Sequence, residues 1–302
     1  MSTAAPTPAP LHVSVMPAET LVLLDPLPGQ IIVDATLGAG GHAGLILEKL
    51  GETGRLIGLD QDPAMLGIAR SRLAERPGAL VHRNFEDLSV ALQELQSPKV
   101  DAILADLGFC SDQLADPARG LSFSQQGPLD MRLDPSGGLP ASALVQRLHE
   151  RELADLFWRY GEERFSRRIA RRIAQTREKT PLTTTTQLAE LVRSCVPRGK
   201  GGIDPATRVF QALRIAVNDE LGALERFLAQ VPDCLKPGGR VVVISFHSLE
   251  DRLVKRAFRN RDIYEELTRK PLTASDEETA ANPRARSAKL RAARRKDDKV
   301  SG

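Results

Sequence analysis

A glycine-rich turn follows an apolar run near the start of the chain, in the segment VDATLGAGGH that ends at His42. Gly38, Gly40 and Gly44 have the spacing G-x-G-x-x-x-G, one residue longer than the G-x-G-x-x-G that binds dinucleotides between a strand and a helix. Glycines let the backbone approach a ligand where a Cβ atom would clash. The turn predicts a nucleotide-cofactor site and leaves both NAD and S-adenosylmethionine open.

Two acidic residues lie near the turn: Asp60 suits either cofactor, and Asp34 distinguishes between them. Asp60 ends the second predicted strand, about 20 residues after the first glycine, where a carboxylate accepts hydrogen bonds from a ribose diol. Asp34 precedes the glycines, and its carboxylate would repel a pyrophosphate but attract a ligand that carries ammonium and sulfonium groups. Asp34 therefore favours S-adenosylmethionine over NAD.

Three further candidates stand at the ends of later predicted strands: Phe85, Asp106 and His247. Parallel sheets bind ligands at the edge formed by the carboxyl ends of their strands. Methyl transfer to an exocyclic amine needs a proton acceptor that frees the nitrogen lone pair for in-line attack, and we predict this catalytic role for Asp106. An adenine ring could pack against Phe85. For His247, a role in the site and a structural hydrogen bond are equally compatible with the sequence.

Alternating strand and helix patterns must position these residues. One helix pattern runs from about His42 to Leu50, and a second begins at Asp62, with Pro63 in its first position. Five apolar runs are predicted strands: QIIVDAT, GRLIGLD, ALVHRNF, VDAILADLG and RVVVISFH. This alternation predicts an α/β fold with a parallel sheet.

The pattern changes after Gly108, where a loop rich in Gly, Pro, Asp and Ser runs to about Pro140 and is followed by helices with no strand between them. We interpret this part as an inserted helical domain. The α/β pattern then resumes with one long helix from about Pro205 to Leu235, and Ser248 is expected to cap the helix that follows the fifth strand. YEELTRKPL and SAKLRAARR are predicted to be short strands.

Composition indicates a globular protein of one or two domains, since 41% of the 302 residues are hydrophobic and 27% are charged. No run approaches the roughly 20 apolar residues of a membrane helix, and the opening MSTAAPTPAP, without features of a secretory signal, predicts a disordered tail over residues 1–10. Cys110, Cys195 and Cys234 form no C-x-x-C pair, and the five histidines are scattered. We expect a cytoplasmic protein without disulfides, metal or membrane contact.

Two basic segments stand out from a net charge of only +3. Arg164 to Lys179 holds seven basic residues and one acidic residue, and Arg284 to Lys299 holds eight basic and two acidic residues. Such runs are commonly solvated faces, but they also suit a polyanion such as RNA.

Several long motifs follow one another in an order that resembles the ribosomal RNA small subunit methyltransferase H family, over nearly the whole chain after the first ten residues. They are HVSVM, DATLGAGGH, LDQDP, DLGFCSDQL, GLSFSQQGPLDMRLD, YGEERFSRRIARRI, FQALRIAVNDEL, SFHSLEDRLVKR and NPRARSAKLR. The resemblance implies an S-adenosylmethionine-dependent enzyme that methylates N4 of a cytidine in the decoding region of small-subunit (16S) ribosomal RNA, within the assembled subunit. It also favours RNA contact over solvation for both basic segments.

The resemblance further implies a Rossmann-like class I methyltransferase sheet with an inserted all-helical domain. The methyltransferase domain is expected over residues 11–112 and 205–302, and a substrate-recognition domain over residues 113–204. The implied cofactor contacts are Gly40, Gly41, His42, Asp60, Phe85, Asp106 and Gln113. Of these, Gln113 is indicated by the resemblance alone, and a homodimer is kept as one alternative for the oligomeric state.

The sequence departs from the family after Asp106, where DLGFCS replaces the commoner DLGVSS, so that Phe109 and Cys110 are unusual and a hydroxyl-dependent role at Cys110 is in doubt. The chain also lacks the Asp/Asn/Ser-Pro-Pro-aromatic tetrad that holds the target amine in many DNA amino-methyltransferases. Two other functions remain open at this point: a nicotinamide-dependent oxidoreductase and a non-catalytic RNA-binding assembly factor.

Overall fold

The computed structural model describes residues 13–73, 76, 78–197 and 204–297. It divides into two compact units, one formed by residues 1–110 and 221–302 and the other by residues 111–220. The tail predicted over residues 1–10 lies outside the described residues. Within the described ranges, every helix is too short or too polar to cross a membrane.

The first unit begins with alternating helices and strands. These are α1 (Pro17–Leu24), β1 (Ile31–Asp34), α2 (Gly41–Leu50), β2 (Arg55–Asp60), α3 (Pro63–Leu73), β3 (Gly78–His82), α4 (Leu88–Glu94) and β4 (Val100–Asp106). The Asp62 side chain accepts a hydrogen bond from Ala64 N at 3.0 Å and so caps α3, as the sequence predicts. The third strand is shorter than expected, and Phe85 lies beyond it, in a 3₁₀ turn.

The second unit is helical over its described residues, as predicted for the insert. Its helices are α5 (Ser111–Ala115), α6 (Ala141–Arg147), α7 (Glu150–Gly161), α8 (Ser166–Arg177), α9 (Thr185–Cys195) and α10 (Ala206–Asn218). The boundary expected between residues 204 and 205 needs correction, because α10 packs against α6, α7 and α9 and so belongs to this unit. The long helix expected from Pro205 to Leu235 is also interrupted, since Asp219 adopts a left-handed conformation with φ of 47°.

The chain returns through α11 (Glu220–Cys234) and completes the first unit. The remaining elements are β5 (Leu235–Ser245), α12 (Ser248–Phe258), β6 (Tyr264–Glu266), α13 (Asp276–Ala281) and β7 (Lys289–Arg295). The two C-terminal strands are where the sequence predicts them. His247, rather than Ser248, caps α12: its Nδ1 accepts a hydrogen bond from Glu250 N at 3.4 Å, and the Glu250 carboxylate accepts one from His247 N.

The seven strands form one sheet in the order β3-β2-β1-β4-β5-β7-β6. The first five in this order are parallel, and β7 runs antiparallel to both β5 and β6. Two clusters of buried apolar side chains pack against the strands, which explains their nearly continuous hydrophobic runs. The predicted α/β fold with a Rossmann-like sheet and a helical insert is confirmed. Because β1, β2 and β4 are parallel, their terminal residues Asp34, Asp60 and Asp106 share one edge of the sheet.

Candidate active site

The glycine turn between β1 and α2 has the backbone geometry that its sequence predicts. Gly38 and Gly40 have φ angles of 52° and 80°, in the left-handed region that favours glycine. Gly40 precedes the first residue of α2, and a Cβ atom there would lie 3.3 Å from the Leu73 side chain. Gly44 lies inside α2 with an ordinary backbone conformation, so the late third glycine is not needed for the turn.

Asp60 holds this turn in place. Its Oδ2 accepts a hydrogen bond from Gly38 N at 2.7 Å, and its Oδ1 accepts one from Asp62 N at 2.8 Å. Burial raises the pKa of Asp60 to about 6, although both backbone hydrogen bonds lower it. Each carboxylate oxygen has a second lone pair, so Asp60 can support the turn and still accept a hydrogen bond from a ribose hydroxyl.

The N-terminus of α2 offers hydrogen-bond donors to an anion. The helix begins at Gly41, and its first intrahelical bond runs from Gly44 N to Gly40 O at 3.0 Å. The N–H groups of Gly41, His42 and Ala43 therefore have no acceptor within the helix. A carboxylate group such as that of an amino-acid ligand fits this position, where the helix dipole also favours negative charge.

A buried acid-base cluster lies beside the turn. His42 Nε2 is 3.6 Å from Asp106 Oδ2, with side chains 6% and 11% exposed, and Asp34 is 1% exposed. Burial raises the pKa of Asp34 to about 7, and the charge of His42 lowers it in part. Burial lowers the pKa of His42, but the carboxylates of Asp106 and Asp34 raise it by more, so the net shift is upward. The cluster therefore favours a protonated His42 next to acidic side chains.

Asp106 is fixed by its backbone and leaves one oxygen for a ligand. Its backbone N–H donates to Thr36 Oγ1 at 2.6 Å, which ties the end of β4 to the turn that follows β1. Its Oδ1 is buried and has no hydrogen-bond partner among the described residues. A buried carboxylate oxygen in that state costs free energy unless a ligand supplies a donor. Sequence reasoning missed Thr36, although its place two residues after Asp34 marks it as part of the same strand end.

Phe85 and Gln113 are the two predicted cofactor residues whose surroundings differ from those of the turn. Phe85 is partly buried and packs edge-to-face on Phe227, with ring centroids 5.3 Å apart. Gln113 is buried in α5 and belongs to the second unit. The structure thus brings Gly40, Gly41, His42 and Asp106 to one place and ties Asp60 to the same turn, while the roles of Phe85 and Gln113 stay predictions.

The unusual pair after Asp106 has structural contacts. Cys110 is buried with its Sγ 3.1 Å from Met65 Sδ, in an apolar setting that needs no hydroxyl group. Phe109 O accepts a hydrogen bond from Arg284 Nη2. The guanidinium carbon of Arg284 lies 6.0 Å from the Phe109 ring centroid and 5.8 Å from that of Phe246. Arg284 therefore connects the segments that follow β4 and β5.

The two basic segments have different environments. On α8, Arg168 and Arg172 are exposed and one helical turn apart. In the C-terminal segment, Arg291 is only 5% exposed and its Nε lies 2.7 Å from Asp251 Oδ1. The segment forms β7 within the sheet, so the predicted RNA contact is wrong for Arg291, which neutralises a carboxylate inside the fold.

A family model describing the MraW methylase family matches residues 9–296. The chain belongs to this family. A relative from Sorangium cellulosum (strain So ce56), a ribosomal RNA small subunit methyltransferase H, is 54% identical over 94% of this chain and 90% of its own length. A protein of the same name from Rhodopirellula baltica is 49% identical, over 94% of this chain and 91% of its own length. Among solved structures, an rRNA methylase from Streptococcus thermophilus has a TM-score of 0.44 at 11% identity, over 93% of this chain and 95% of that one.

Membership of the MraW methylase family decides between the two cofactors that the glycine turn leaves open. The protein is an S-adenosylmethionine-dependent methyltransferase, as predicted, and the nicotinamide-dependent alternative is wrong. The residues fit this cofactor: the N–H groups at the start of α2 suit its carboxylate, and Asp34 suits its positive charges. Asp106 ends β4 at the same edge of the sheet, and its role as proton acceptor stays a prediction.

Proposed function

We propose that this protein methylates N4 of a cytidine in the decoding region of small-subunit (16S) ribosomal RNA, acting on the assembled small subunit. The names of the relatives from Sorangium cellulosum and Rhodopirellula baltica support ribosomal RNA of the small subunit as the substrate. An amine is the acceptor that the carboxylate at the site fits best, because an amine must lose a proton when it is methylated.

The unpartnered Oδ1 atom of Asp106 carries this proposal. An exocyclic amine of a base supplies the N–H donor that this buried oxygen lacks. Accepting that hydrogen bond draws the nitrogen lone pair out of conjugation with the ring and turns it toward the methyl group. A hydroxyl acceptor would make only one such bond, whereas an amine keeps a second N–H for another acceptor.

The reaction is a direct displacement. S-adenosylmethionine supplies a methyl group on a sulfonium ion, and the C–S bonding electrons stay on sulfur when the methyl group leaves. Asp106 orients the amine nitrogen while the new N–C bond forms, and the proton of the N–H group passes to Oδ1 and then to solvent. The carboxylates of Asp106 and Asp34 raise the pKa of His42, and in its protonated form His42 offsets part of their negative charge beside the reacting atoms.

The cofactor is proposed to lie along the edge from α2 to β2. The Gly41 and His42 N–H groups bind its carboxylate, Gly40 gives the backbone room to approach, and Asp60 accepts hydrogen bonds from the ribose. Phe85 and Gln113 complete the predicted set, with the Phe85 ring next to adenine.

The inserted helical domain, predicted over residues 113–204, is proposed to recognise RNA. The exposed arginines of α8 offer phosphate contacts, and two exposed aromatic side chains in the same unit, Trp158 at 58% and Phe165 at 38%, offer surfaces on which unpaired bases stack. The target cytidine must leave its stack to reach a buried carboxylate, as in other enzymes that act on bases.

The test is to incubate the protein with labelled S-adenosylmethionine and unmodified small subunits, then to map the label by nuclease digestion and mass spectrometry. Label on N4 of a single cytidine in the decoding region is expected. Label on another atom or on large-subunit RNA contradicts the proposal. A non-catalytic assembly factor would bind the subunits and transfer no label.

A further inference from the structure

A cavity lined by charged side chains lies at the far end of the first unit from the candidate active site. It has a volume of about 520 Å³ and is lined by Arg259, Arg261, Glu266 and Arg269. Arg259 follows α12, Arg261 lies in the turn before β6, and Glu266 is the last residue of β6.

The topology of the sheet separates this cavity from Asp106. Strand β7 is antiparallel to both β5 and β6, so β6 runs in the same direction as β5. Strand β6 therefore begins at the amino-terminal edge of the sheet, whereas Asp106 stands at the carboxyl-terminal edge. Arg259 and Arg261 precede β6 and lie toward that opposite edge.

The three arginines of the cavity have no carboxylate partner among the described residues, whereas several other arginines of the same unit do. Arg291 pairs with Asp251, Arg294 with Glu265, Arg240 with Asp25, Arg226 with Glu86, and Arg83 with Glu94. Three exposed guanidinium groups and the single carboxylate of Glu266 give the cavity a net positive charge, and a bound anion lowers the repulsion between the arginines.

The lining also limits the kind of anion. All four lining residues are charged, so the cavity offers phosphate contacts and no aromatic ring on which a base could stack. The Glu266 carboxylate would repel a doubly charged phosphate monoester. It suits a singly charged phosphodiester whose neighbouring ribose supplies a 2′-hydroxyl donor, which is a feature of RNA.

We propose that the cavity of Arg259, Arg261 and Arg269 binds the phosphodiester backbone of ribosomal RNA at a distance from the methylated base. The inference rests on the proposed RNA substrate and extends it, because a contact at the opposite edge of the sheet requires an RNA that extends well beyond the methylated nucleotide. The arginines supply affinity and orientation, and Glu266 supplies a preference for RNA over DNA.

The test compares the variant R259Q/R261Q/R269Q with the matched control K49Q/R70Q/R72Q, which removes the same charge from exposed positions on α2 and α3. Binding to unmodified small subunits is measured at several salt concentrations, and S-adenosylmethionine binding is measured by calorimetry. We expect subunit affinity to fall at least about tenfold and the salt slope to fall by about 2 to 3, since each phosphate contact contributes about 0.7 to 0.9. Cofactor affinity and the control variant should stay within twofold of the unmodified protein.

Two results would overturn the proposal. One is a cavity variant that binds subunits with the affinity and salt slope of the control. The other is a cavity that binds inorganic phosphate, detected by shifts of the arginine Nε–H resonances, while its variant keeps full subunit affinity. A failure of the proposed methyl transfer is distinguishable from both, because the unmodified protein would then bind subunits without labelling them.

Discussion

His42 Nε2 and Asp106 Oδ2 are 3.6 Å apart, one at the start of α2 and the other at the end of β4. The distance is that of an ion pair and is longer than a hydrogen bond. His42 belongs to the segment proposed to bind the carboxylate of the cofactor, and Asp106 is the proposed acceptor for the amine proton. The pair therefore links the cofactor turn electrostatically to the reacting end of the site.

Asp106→Asn should abolish most methyl transfer while leaving cofactor binding nearly intact. Asparagine keeps an oxygen that accepts a hydrogen bond, but it cannot take a proton, and the backbone bond to Thr36 is unchanged. We expect the single-turnover rate at saturating substrate to fall about 10²- to 10⁴-fold.

The rate is measured with labelled cofactor and unmodified small subunits, and the affinity for S-adenosylmethionine by calorimetry. Asp233→Asn, an exposed site on α11 in the same unit, serves as the control. A rate for Asp106→Asn within twofold of the unmodified protein would remove Asp106 from the chemistry.

Asp34→Asn should stabilise the fold at high pH. Burial raises the pKa of Asp34 from 3.8 to about 7, so between about pH 4 and 7 the folded protein holds a proton that the unfolded chain releases. Stability from this group is therefore lost as the pH rises through that window. At pH 8 the variant should be more stable by up to about 4 kcal/mol, at about 1.4 kcal/mol for each pKa unit, and equal to the unmodified protein near pH 4.

Urea unfolding at several pH values measures this difference, with Glu52→Gln as an exposed control. A gain of the same size at every pH would show that the buried charge is not its cause. Cofactor affinity should fall in the same variant, because asparagine lacks the negative charge that attracts the cationic groups of the cofactor. A carboxylate that destabilises the fold is then retained for binding.

Much of this site could be read from the sequence because parallel strands end at one edge. The apolar runs before Asp34, Asp60 and Asp106 gave the direction of each strand, and direction alone placed these residues together. The same rule predicted that His247 lies at this edge. It did not predict that His247 caps α12, because that role depends on one hydrogen bond from the backbone of Glu250.

Contacts between residues far apart in the chain determine two features that the sequence pattern did not predict. In the sequence, Arg291 is one of several basic residues in a C-terminal segment. In the structure it lies beside Asp251, which is 40 positions away in the chain. Asp219 reads as an ordinary helical residue, but its left-handed conformation separates α10 from α11. In both cases the outcome depends on partners that no local pattern identifies.

Asp60 is proposed to bind the ribose and also holds the glycine turn, and a double cycle that changes both the residue and the ligand separates these two roles. Asp60→Asn should weaken cofactor binding both through the ribose and through the loosened turn at Gly38. Comparing S-adenosylhomocysteine with an analogue that lacks the ribose hydroxyls isolates the first effect. We expect the variant to cost the full ligand at least about tenfold more affinity than it costs the analogue, a difference of about 1.4 kcal/mol. Equal losses for both ligands would leave Asp60 with the turn alone.

Reversing the charges of Arg168 and Arg172 together should weaken binding to small subunits and flatten its salt dependence. Both side chains are exposed on α8, and neither has a carboxylate partner among the described residues. Two lost phosphate contacts should lower the salt slope by about 1.4 to 1.8. Binding assays against a charge-matched R70E/R72E control test this, and S-adenosylmethionine affinity should not change. Unchanged subunit binding in the α8 variant would assign this face to solvent.

Arg284 has two alternative roles: it holds together the segments that follow β4 and β5, or it binds RNA phosphate. It donates to Phe109 O and lies against the rings of Phe109 and Phe246. Arg284→Lys keeps the charge but loses the planar group that contacts both rings. We expect the structural role, so Arg284→Lys should lower thermal stability and the methyl-transfer rate nearly as much as Arg284→Ala. The expected loss in the free energy of unfolding is about 1 to 3 kcal/mol.

Phe109→Val is the matched control for Arg284, since it removes one ring and keeps the backbone carbonyl. Its expected cost is below about 1 kcal/mol, because the contact with Phe246 and the hydrogen bond to the carbonyl remain. Near-complete rescue of activity by lysine at Arg284 would instead point to a phosphate contact, because only the charge would then matter. The order of the three variants, measured by urea unfolding and single-turnover assays, therefore decides whether the residue acts on RNA or on the segment that follows Asp106.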